Sequence, residues 1–218
     1  MSTAVVDPPA SPPPSPKPLT MGRQPVGVLV ALWLFVVLPF LALVAAVPVM
    51  WGWGLNWVDV VLFVIFYAIG GFGVGVGFHR HLTHGSFKAK RGLRIALAVA
   101  GSMAIEGAPT QWVADHRRHH QFSDMEGDPH SPWRYGATYW GLIKGLWYSH
   151  VGWLFNRELS NRARFAPDML ADKDIQRIDR LFPAIVAASV LLPGVLGGLI
   201  TWSWRGALSA LFWAGLVR

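Results

Sequence analysis

The chain has 218 residues, a formal net charge of +7 at pH 7, 53% hydrophobic residues and 14% charged residues. Soluble domains carry about 25% charged residues, so this composition indicates a membrane protein. The chain has no cysteine. Disulfides, thiolate ligands and iron–sulfur clusters are therefore excluded, and any bound metal must be held by nitrogen and oxygen atoms.

Residues 1–24 predict a disordered N-terminal tail. Residues 7–18 are mostly proline, which fixes φ and removes the backbone donor, so neither a helix nor a strand is expected there. Such tails are more often spacers than ligands for another domain. Residues 25–218 are predicted to form one membrane domain.

Three long apolar stretches predict membrane-spanning helices. Residues 26–51, 60–78 and 181–204 contain no charged side chain, and about 20 apolar residues are needed to cross the hydrocarbon core of a bilayer. A cleaved signal peptide is the alternative for the first stretch, but its apolar core would be only about 7–15 residues long. A last stretch, residues 206–217, is apolar over 12 residues and predicts half a span.

Two shorter apolar segments predict helices that do not cross the bilayer. Residues 95–105 are expected to lie in the membrane interface or to pack on protein. Residues 141–155 are rich in Trp, Tyr and Leu, which favours an interfacial helix anchored by aromatic rings. A buried helix of the kind found in soluble proteins would look similar.

The distribution of basic residues predicts the topology. Of the 19 Lys and Arg residues, 15 lie between Arg80 and Arg180, and none lies between residues 52 and 57. The positive-inside rule then places the N-terminus and the loop after the second span in the cytoplasm, in a bacterial cell membrane or the ER membrane. We expect this charge either to set the topology and contact anionic lipid of the bilayer or to bind a phosphate-bearing ligand or an acidic protein partner, rather than to bind nucleic acid.

Six of the eight histidines fall in two short boxes, residues 79–84 and 115–120. In the second box, three imidazoles at relative positions 0, 3 and 4 share one face of a helix. His79 and His84 lie about 140° apart around an α-helix, so they can face one metal only if the helix ends or bends there. Gly85 is consistent with such an ending.

Imidazoles without thiolates suit a metal such as iron that changes its oxidation state. Five converging histidines suggest two metal ions. The candidates for this metal site are His79, His84, His116, His119 and His120. His81 is expected to face solvent, and Asp115 either to orient an imidazole or to begin the helix. The single residues His130 and His150 favour supporting or structural roles.

The two boxes and their flanks resemble the membrane acyl-CoA desaturases of the stearoyl-CoA type. The similarity rests on residues 77–84 (Gly-Phe-His-Arg-His-Leu-Thr-His), 112–120 (Trp-Val-Ala-Asp-His-Arg-Arg-His-His), 127–130 (Gly-Asp-Pro-His) and 148–153 (Tyr-Ser-His-Val-Gly-Trp). It runs from about residue 25 to the end of the chain.

The resemblance implies an all-α, polytopic membrane protein with a cytoplasmic histidine-rich helical cap. It implies an O₂-dependent fatty acyl desaturase that introduces a cis double bond, commonly Δ9 in this family, with two iron ions held by the five candidate histidines. Fatty acyl-CoA or another acyl carrier would be the substrate. Cytochrome b5, ferredoxin or a reductase would donate the electrons. Trp112, Asp115, Arg117 and His130 are expected beside the metal or the substrate.

The chain departs from the family pattern at its C-terminus. The family completes its metal site with a further histidine after the fourth span and a third histidine box beyond it, whereas this chain stops inside that span. We therefore expect three full spans plus a truncated fourth, a fragment of a desaturase, and no turnover by the 218-residue chain alone. The alternatives are another di-iron oxygenase, such as an acyl hydroxylase or alkane monooxygenase, and a non-catalytic membrane protein.

Overall fold

The computed structural model describes residues 17–49, 52, 54–156 and 158–218. Residues 1–16 of the predicted tail lie outside this range. Helices dominate the described part, and the elements in chain order are β1 Thr20–Arg23, α1 Val26–Val49, α2 Trp57–Phe72, a π-helix Gly73–Thr83, α3 Arg91–Ser102, α4 Pro109–Phe122, α5 Tyr139–His150, a 3₁₀ turn Gly152–Phe155, β2 Glu158–Ser160, α6 Arg162–Phe165, α7 Pro167–Ala171, α8 Lys173–Thr201, α9 Trp204–Ala210 and a second π-helix Leu211–Val217.

The end of the predicted tail requires a correction. Strand β1 pairs antiparallel with β2, with Thr20 opposite Ser160 and Arg23 opposite Glu158. The backbone N–H of Asn161 also donates to the carbonyl of Leu19. The sequence pattern of residues 20–23 did not predict this strand, because the strand's hydrogen-bond partners lie far away in sequence.

In the part of the chain that the structure describes, two continuous helices are long and apolar enough to cross a membrane. Trp57–Thr83 joins α2 to the π-helix over 27 residues, and Lys173–Thr201, helix α8, has 29 residues. They correspond to the second and third predicted spans. The first predicted span is helix α1, in which the described side chains give a shorter apolar stretch, Val26–Leu41. Helix α8 continues through Pro183 and Pro193.

The predicted half-span folds back against the two long helices. The chain turns at Trp202, which has a left-handed φ of 50°, and α9 with the second π-helix then packs on α8 and α2. The Ser209 hydroxyl donates to the buried Asp59 carboxylate at 3.0 Å. Asp59 also forms a capping box with Asn56 at the start of α2. These bonds satisfy a buried carboxylate that would otherwise be costly.

At the opposite end of α2, a hydrophobic core joins the helices that carry the histidine boxes. Phe78 of the π-helix, Val113 of α4 and Ile175 of α8 are fully buried in it. Helix α3, which covers the predicted short segment at residues 95–105, packs on the π-helix and on α8. Of the two predicted alternatives for residues 95–105, packing on protein is therefore the one observed for the residues that lie in α3, which ends at Ser102.

Helix α5 exposes one apolar, aromatic side. Tyr139, Trp140 and Trp147 are each more than 60% exposed, whereas Gly141 and Gly145 are buried. The 3₁₀ turn that follows stacks Phe155 on Trp33 of α1, with ring centroids 4.4 Å apart. An exposed aromatic side next to an apolar helix fits the predicted interfacial position.

The π-helix and α3 approach so closely that a glycine is required at Gly73. A Cβ atom built there would overlap the backbone of Ala100 and Gly101, whereas a Cβ on Gly75 in the same π-helix would meet no atom within 4 Å. Overpacking of this kind costs about 1–3 kcal/mol. We expect Gly73→Ala to lower the free energy of unfolding by at least that amount in a denaturant titration of the detergent-solubilised protein.

Gly75→Ala is the matched control, and it should leave stability unchanged or raise it slightly through helix propensity. Equal unfolding curves for the two variants would contradict the close approach of the π-helix to α3.

Candidate metal centre

The π-helix explains how a five-residue spacing puts two histidines beside each other. The backbone N–H of His84 donates to the carbonyl of His79 at 3.1 Å, which is the i→i+5 bond of a π-helix. The Thr83 hydroxyl bonds the Phe78 carbonyl with the same spacing. The helix then ends, with Gly85 at a left-handed φ of 59°. The expected helix end at Gly85 is confirmed, and the wider turn accounts for the alignment.

Four imidazoles from the two boxes converge on one point. The possible ligand atoms of His79, His84, His116 and His120 all lie within 4.8 Å of one another. On α4, the Nε2 atoms of His116 and His120 are 3.1 Å apart. Two bonds of about 2.1 Å from one ion to nitrogen ligands at a near-right angle would need this separation.

The electrostatics favour neutral imidazoles at the two α4 members of this cluster, His116 and His120. Burial and the neighbouring rings of His120, His79, His119 and His84 lower the pKa of His116 to about 3. The pKa of His120 is also lowered, first by burial and then by His84, His119 and His79. A neutral imidazole is the form that binds a metal ion.

His119 belongs to a second, adjacent group. Its Nδ1 lies 3.0 Å from the Asp128 carboxylate, and its ring stacks on His130 with centroids 4.2 Å apart. The possible ligand atoms of His119, Asp128 and His130 lie within 4.8 Å of one another. Of the five predicted ligands, four therefore lie in the first group and His119 lies in the second.

Asp128 organises the loop beneath the second group. Its carboxylate also accepts hydrogen bonds from the backbone N–H groups of Asp124 and His130, each at 3.0 Å. Burial alone would raise the pKa of Asp128, but the bonds from His119, His130 and Asp124 lower it overall. An ionised carboxylate on Nδ1 orients an imidazole and leaves its Nε2 free.

The aromatic and acidic candidates on α4 have different surroundings. Trp112 stacks on His116 with centroids 4.7 Å apart, and its indole N–H donates to Glu106 at 3.0 Å. Asp115 accepts from the Gln111 amide at 3.1 Å, and burial raises its pKa. Asp115 lies in the middle of α4, so the second of its two predicted alternatives, that it begins the helix, was wrong.

Arg117 lies between the ligand candidates in sequence, but its guanidinium contacts the backbone of the first box. It donates to the Leu82 carbonyl at 2.8 Å and to the Thr83 carbonyl at 3.2 Å. It also forms a bidentate ion pair with Asp168, at 2.6 and 2.9 Å. Its role here is to join the two boxes.

The remaining histidines lie outside the four-histidine cluster. His81 forms a hydrogen bond with the Phe87 carbonyl through Nδ1 and stacks on the Phe87 ring. It was expected to face solvent, but its side chain is half-buried. His150 bonds the Leu146 carbonyl through Nδ1 at 2.8 Å.

A cavity of about 690 Å³ connects the histidines to the apolar helices. It is lined by Trp112, His116, His130 and His150 and by apolar side chains of α1 and α2 such as Phe35 and Phe66. Its volume falls within the range of small-molecule sites, about 300–1,000 Å³. An apolar chain in this cavity would have one end beside the imidazoles.

Sequence reasoning missed three acidic residues of this region: Glu106, Asp128 and Asp168. Asp128 could have been found, because it lies near the second box in sequence and metal-binding imidazoles often donate their other N–H to a carboxylate. Glu106 and Asp168 carry no local signal. Their partners, Trp112 and Arg117, are identified only by the fold.

The donor set fits iron. Borderline imidazole nitrogens together with a carboxylate suit iron, zinc, copper or nickel, whereas calcium and magnesium prefer oxygen. Both groups are held on helices and a tight loop, which limits their movement. The fold and the site together define a helical, membrane-type protein with a histidine-rich site that could hold metal.

Comparison with known proteins identifies the family. Residues 55–218 match the family described as fatty acid desaturase. The chain is 38% identical over 187 residues to the hex-5-enoyl-[acyl-carrier protein] acetylenase of Moorena producens (strain JHB), covering 85% of this chain and 58% of that protein. It is 36% identical over 159 residues to the sn-1 stearoyl-lipid 9-desaturase of Anabaena variabilis, covering 72% and 54%.

A probable acyl-CoA desaturase of Schizosaccharomyces pombe is 33% identical over 160 residues, covering 71% of this chain and 30% of that protein. The chain belongs to the fatty acid desaturase family, whose named members are oxidoreductases. It spans less than two thirds of the length of each of these three relatives.

Removal of the Asp128 carboxylate should loosen the second group. Asp128→Ala would leave the N–H groups of Asp124 and His130 without their acceptor, and each unsatisfied buried group costs about 1–3 kcal/mol. We expect a loss of about 2 kcal/mol or more in unfolding free energy, together with faster amide exchange in residues 123–131. Asp128→Asn keeps one acceptor oxygen and should lose less, so equal losses would contradict this role.

Proposed function

We propose that the protein is an O₂-dependent fatty acyl desaturase in which two iron ions are held by histidines. The observation that carries the proposal is the convergence of His79, His84, His116 and His120. One of these four, His116, also lines the apolar cavity. Membership of the fatty acid desaturase family supports the reaction class.

The four-histidine cluster would hold one iron, and His119, oriented by Asp128, would contribute to a second. Bound iron would supply the activation of O₂ and the transfer of electrons. Residues of this chain would do the rest: the neutral imidazoles offer ligand atoms, and Trp112 forms a flat cavity wall beside His116. The apolar walls would exclude water and align the acyl chain.

The cavity supports a saturated acyl chain as substrate. Phe35, Phe66 and Tyr67 line its apolar part, and Gly70 and Gly71 leave α2 thin where it borders the cavity. We infer that the acyl chain enters this part and that the carbon atoms to be oxidised lie near His116. Position 9 is in the names of several relatives, among them the sn-1 stearoyl-lipid 9-desaturase of Anabaena variabilis, and we propose it as the first position to test.

The surface charge indicates the chemical class of the acyl carrier and of the electron donor, but not which molecule serves in either role. Arg80, Lys88 and Lys90 are exposed around the end of the first box. They suit the phosphates of an acyl-CoA or the acidic surface of a donor such as cytochrome b5, ferredoxin or a reductase. The relatives' names include acyl carrier protein, lipid and CoA substrates, so all three carriers should be assayed.

The geometry also supports a multi-pass topology. The end of α2 and the start of α8 lie on the same side, because Arg91 and Arg94, at the start of α3, pair with Asp174 near the start of α8. We propose that this basic, histidine-bearing side and the N-terminus face the cytoplasm. Helix α5 would then lie along the cytoplasmic interface.

A product assay tests the function. The protein that carries this sequence, loaded with iron and given O₂, an electron donor and saturated acyl-CoA, acyl carrier protein or lipid, should yield a cis-monounsaturated chain by gas chromatography–mass spectrometry. His84→Ala should abolish the product and release the metal of the four-histidine cluster. His81→Ala, in the same box but outside the cluster, should retain both.

Other outcomes identify the alternatives. Hydroxylated chains alone would indicate an acyl hydroxylase or alkane monooxygenase. Bound metal without any oxidised product from any carrier would indicate a non-catalytic protein.

Narrowing the cavity should change the accepted chain length. Gly71 lines the cavity, and a Cβ there would meet no atom within 4 Å, so Gly71→Phe would project a ring into free space. We expect the yield from the longest accepted chain to fall by about tenfold or more relative to shorter chains. Gly75→Phe is the matched control because Gly75 does not line the cavity, and an unchanged chain-length profile in Gly71→Phe would place the acyl chain elsewhere.

A further inference from the structure

The two histidine boxes are joined by a clamp that involves an acidic residue far away in sequence. We propose that Asp168 is a positioning residue of the metal centre: it holds the Arg117 guanidinium against the end of the π-helix and so sets the distance between His84 and α4. This inference rests on the proposed function, because it assigns the four-histidine cluster to a metal.

The carbonyl groups at the end of the π-helix need donors from elsewhere. The last carbonyls of any helix have no partner within the helix. Arg117 donates from Nη2 to the Leu82 carbonyl and from Nε to the Thr83 carbonyl, at 2.8 and 3.2 Å. Thr83 directly precedes His84, so a movement of this end moves a ligand candidate.

Asp168 determines the position of the Arg117 guanidinium group. The carboxylate accepts from both Nη1 and Nη2, at 2.6 and 2.9 Å, and Nη1 also donates to the Phe165 carbonyl at the end of α6. Two parallel bonds between a guanidinium and a carboxylate fix both the position and the plane of the guanidinium. The clamp thereby connects the first box, α4 and the α6–α7 corner.

The solvent exposure of the Asp168–Arg117 ion pair indicates that the pair affects the position of a metal ligand more than the stability of the fold. The Asp168 side chain is 52% exposed and that of Arg117 is 25% exposed. An ion pair this exposed contributes little to the free energy of unfolding. The orientation of a metal ligand is more sensitive, since replacing a residue that supports a ligand typically costs about 10–100-fold in metal affinity.

A second ion pair provides the matched control. Arg91 and Asp174 also form a bidentate pair, with both distances 2.7 Å. That pair joins α3 to α8, and among the described contacts Asp174 also bonds Arg94 but no residue of either histidine box. Asp174→Asn therefore removes the same kind of bond without disturbing the end of the π-helix.

The experiment measures Co²⁺ binding to the purified protein that carries this sequence, by the visible absorption of the bound ion. We expect Asp168→Asn to weaken the Co²⁺ affinity by about tenfold and to shift the absorption bands, and Asp174→Asn to leave both unchanged. Arg117→Lys keeps the charge but has no planar fork, so it should behave like Asp168→Asn. Asp168→Glu should recover part of the affinity.

Amide hydrogen exchange supplies a second readout that needs no metal. Residues 82–86 should exchange several-fold faster in Asp168→Asn than in Asp174→Asn, while the unfolding curves of the two variants coincide. Equal Co²⁺ affinities and equal exchange in the two variants would overturn the clamp. Absence of Co²⁺ binding by the wild-type protein would instead contradict the proposed function, and the exchange at residues 82–86 would then decide the clamp by itself.

Discussion

The structure depends on one backbone feature, the π-helical end of α2. An α-helix would leave His79 and His84 on different sides, and only a wider turn brings both towards α4. The i→i+5 bond between His84 and His79 shows that wider turn directly. π-Helical turns are rare and concentrate at functional sites because they cost stability. Here the geometry that they provide is the alignment of two imidazoles five residues apart.

Packing stabilises this unfavourable backbone. Glycines in the π-helix allow α3 to approach to backbone contact, and Phe78 is fully buried between α3 and α4. Burial of a phenylalanine side chain contributes about 1.5–3 kcal/mol, which offsets the weaker hydrogen-bond geometry of the wide turn. The same core includes Val113 and Ile175. Apolar burial therefore packs the two histidine-bearing helices against each other.

The arginines of the second box show how charge is kept away from the imidazole nitrogens. Arg117 binds carbonyls of the first box, and Arg118, only 8% exposed, binds the Gly127 carbonyl at 2.7 Å and lies near the Ser160 hydroxyl. Both cations are therefore bound to polar groups of the surrounding fold. Burial and neighbouring imidazoles lower the pKa values of His116 and His120, which suits these two side chains to bind a metal ion.

The sequence by itself determined the membrane-type composition, the long apolar helices and the histidines of the two boxes, because periodicity and ligand chemistry are local properties. Only the tertiary structure decided that His119 belongs with Asp128 and His130, that Asp115 lies within α4, and that β1 pairs with β2. The first two results depend on where α4 begins and on how the loop after it folds back. The partner of β1 comes from a distant segment. The roles of Arg117 and Asp168 have the same origin: 51 residues separate them in sequence, and only packing of the π-helix, α4 and α7 on one core brings them into contact.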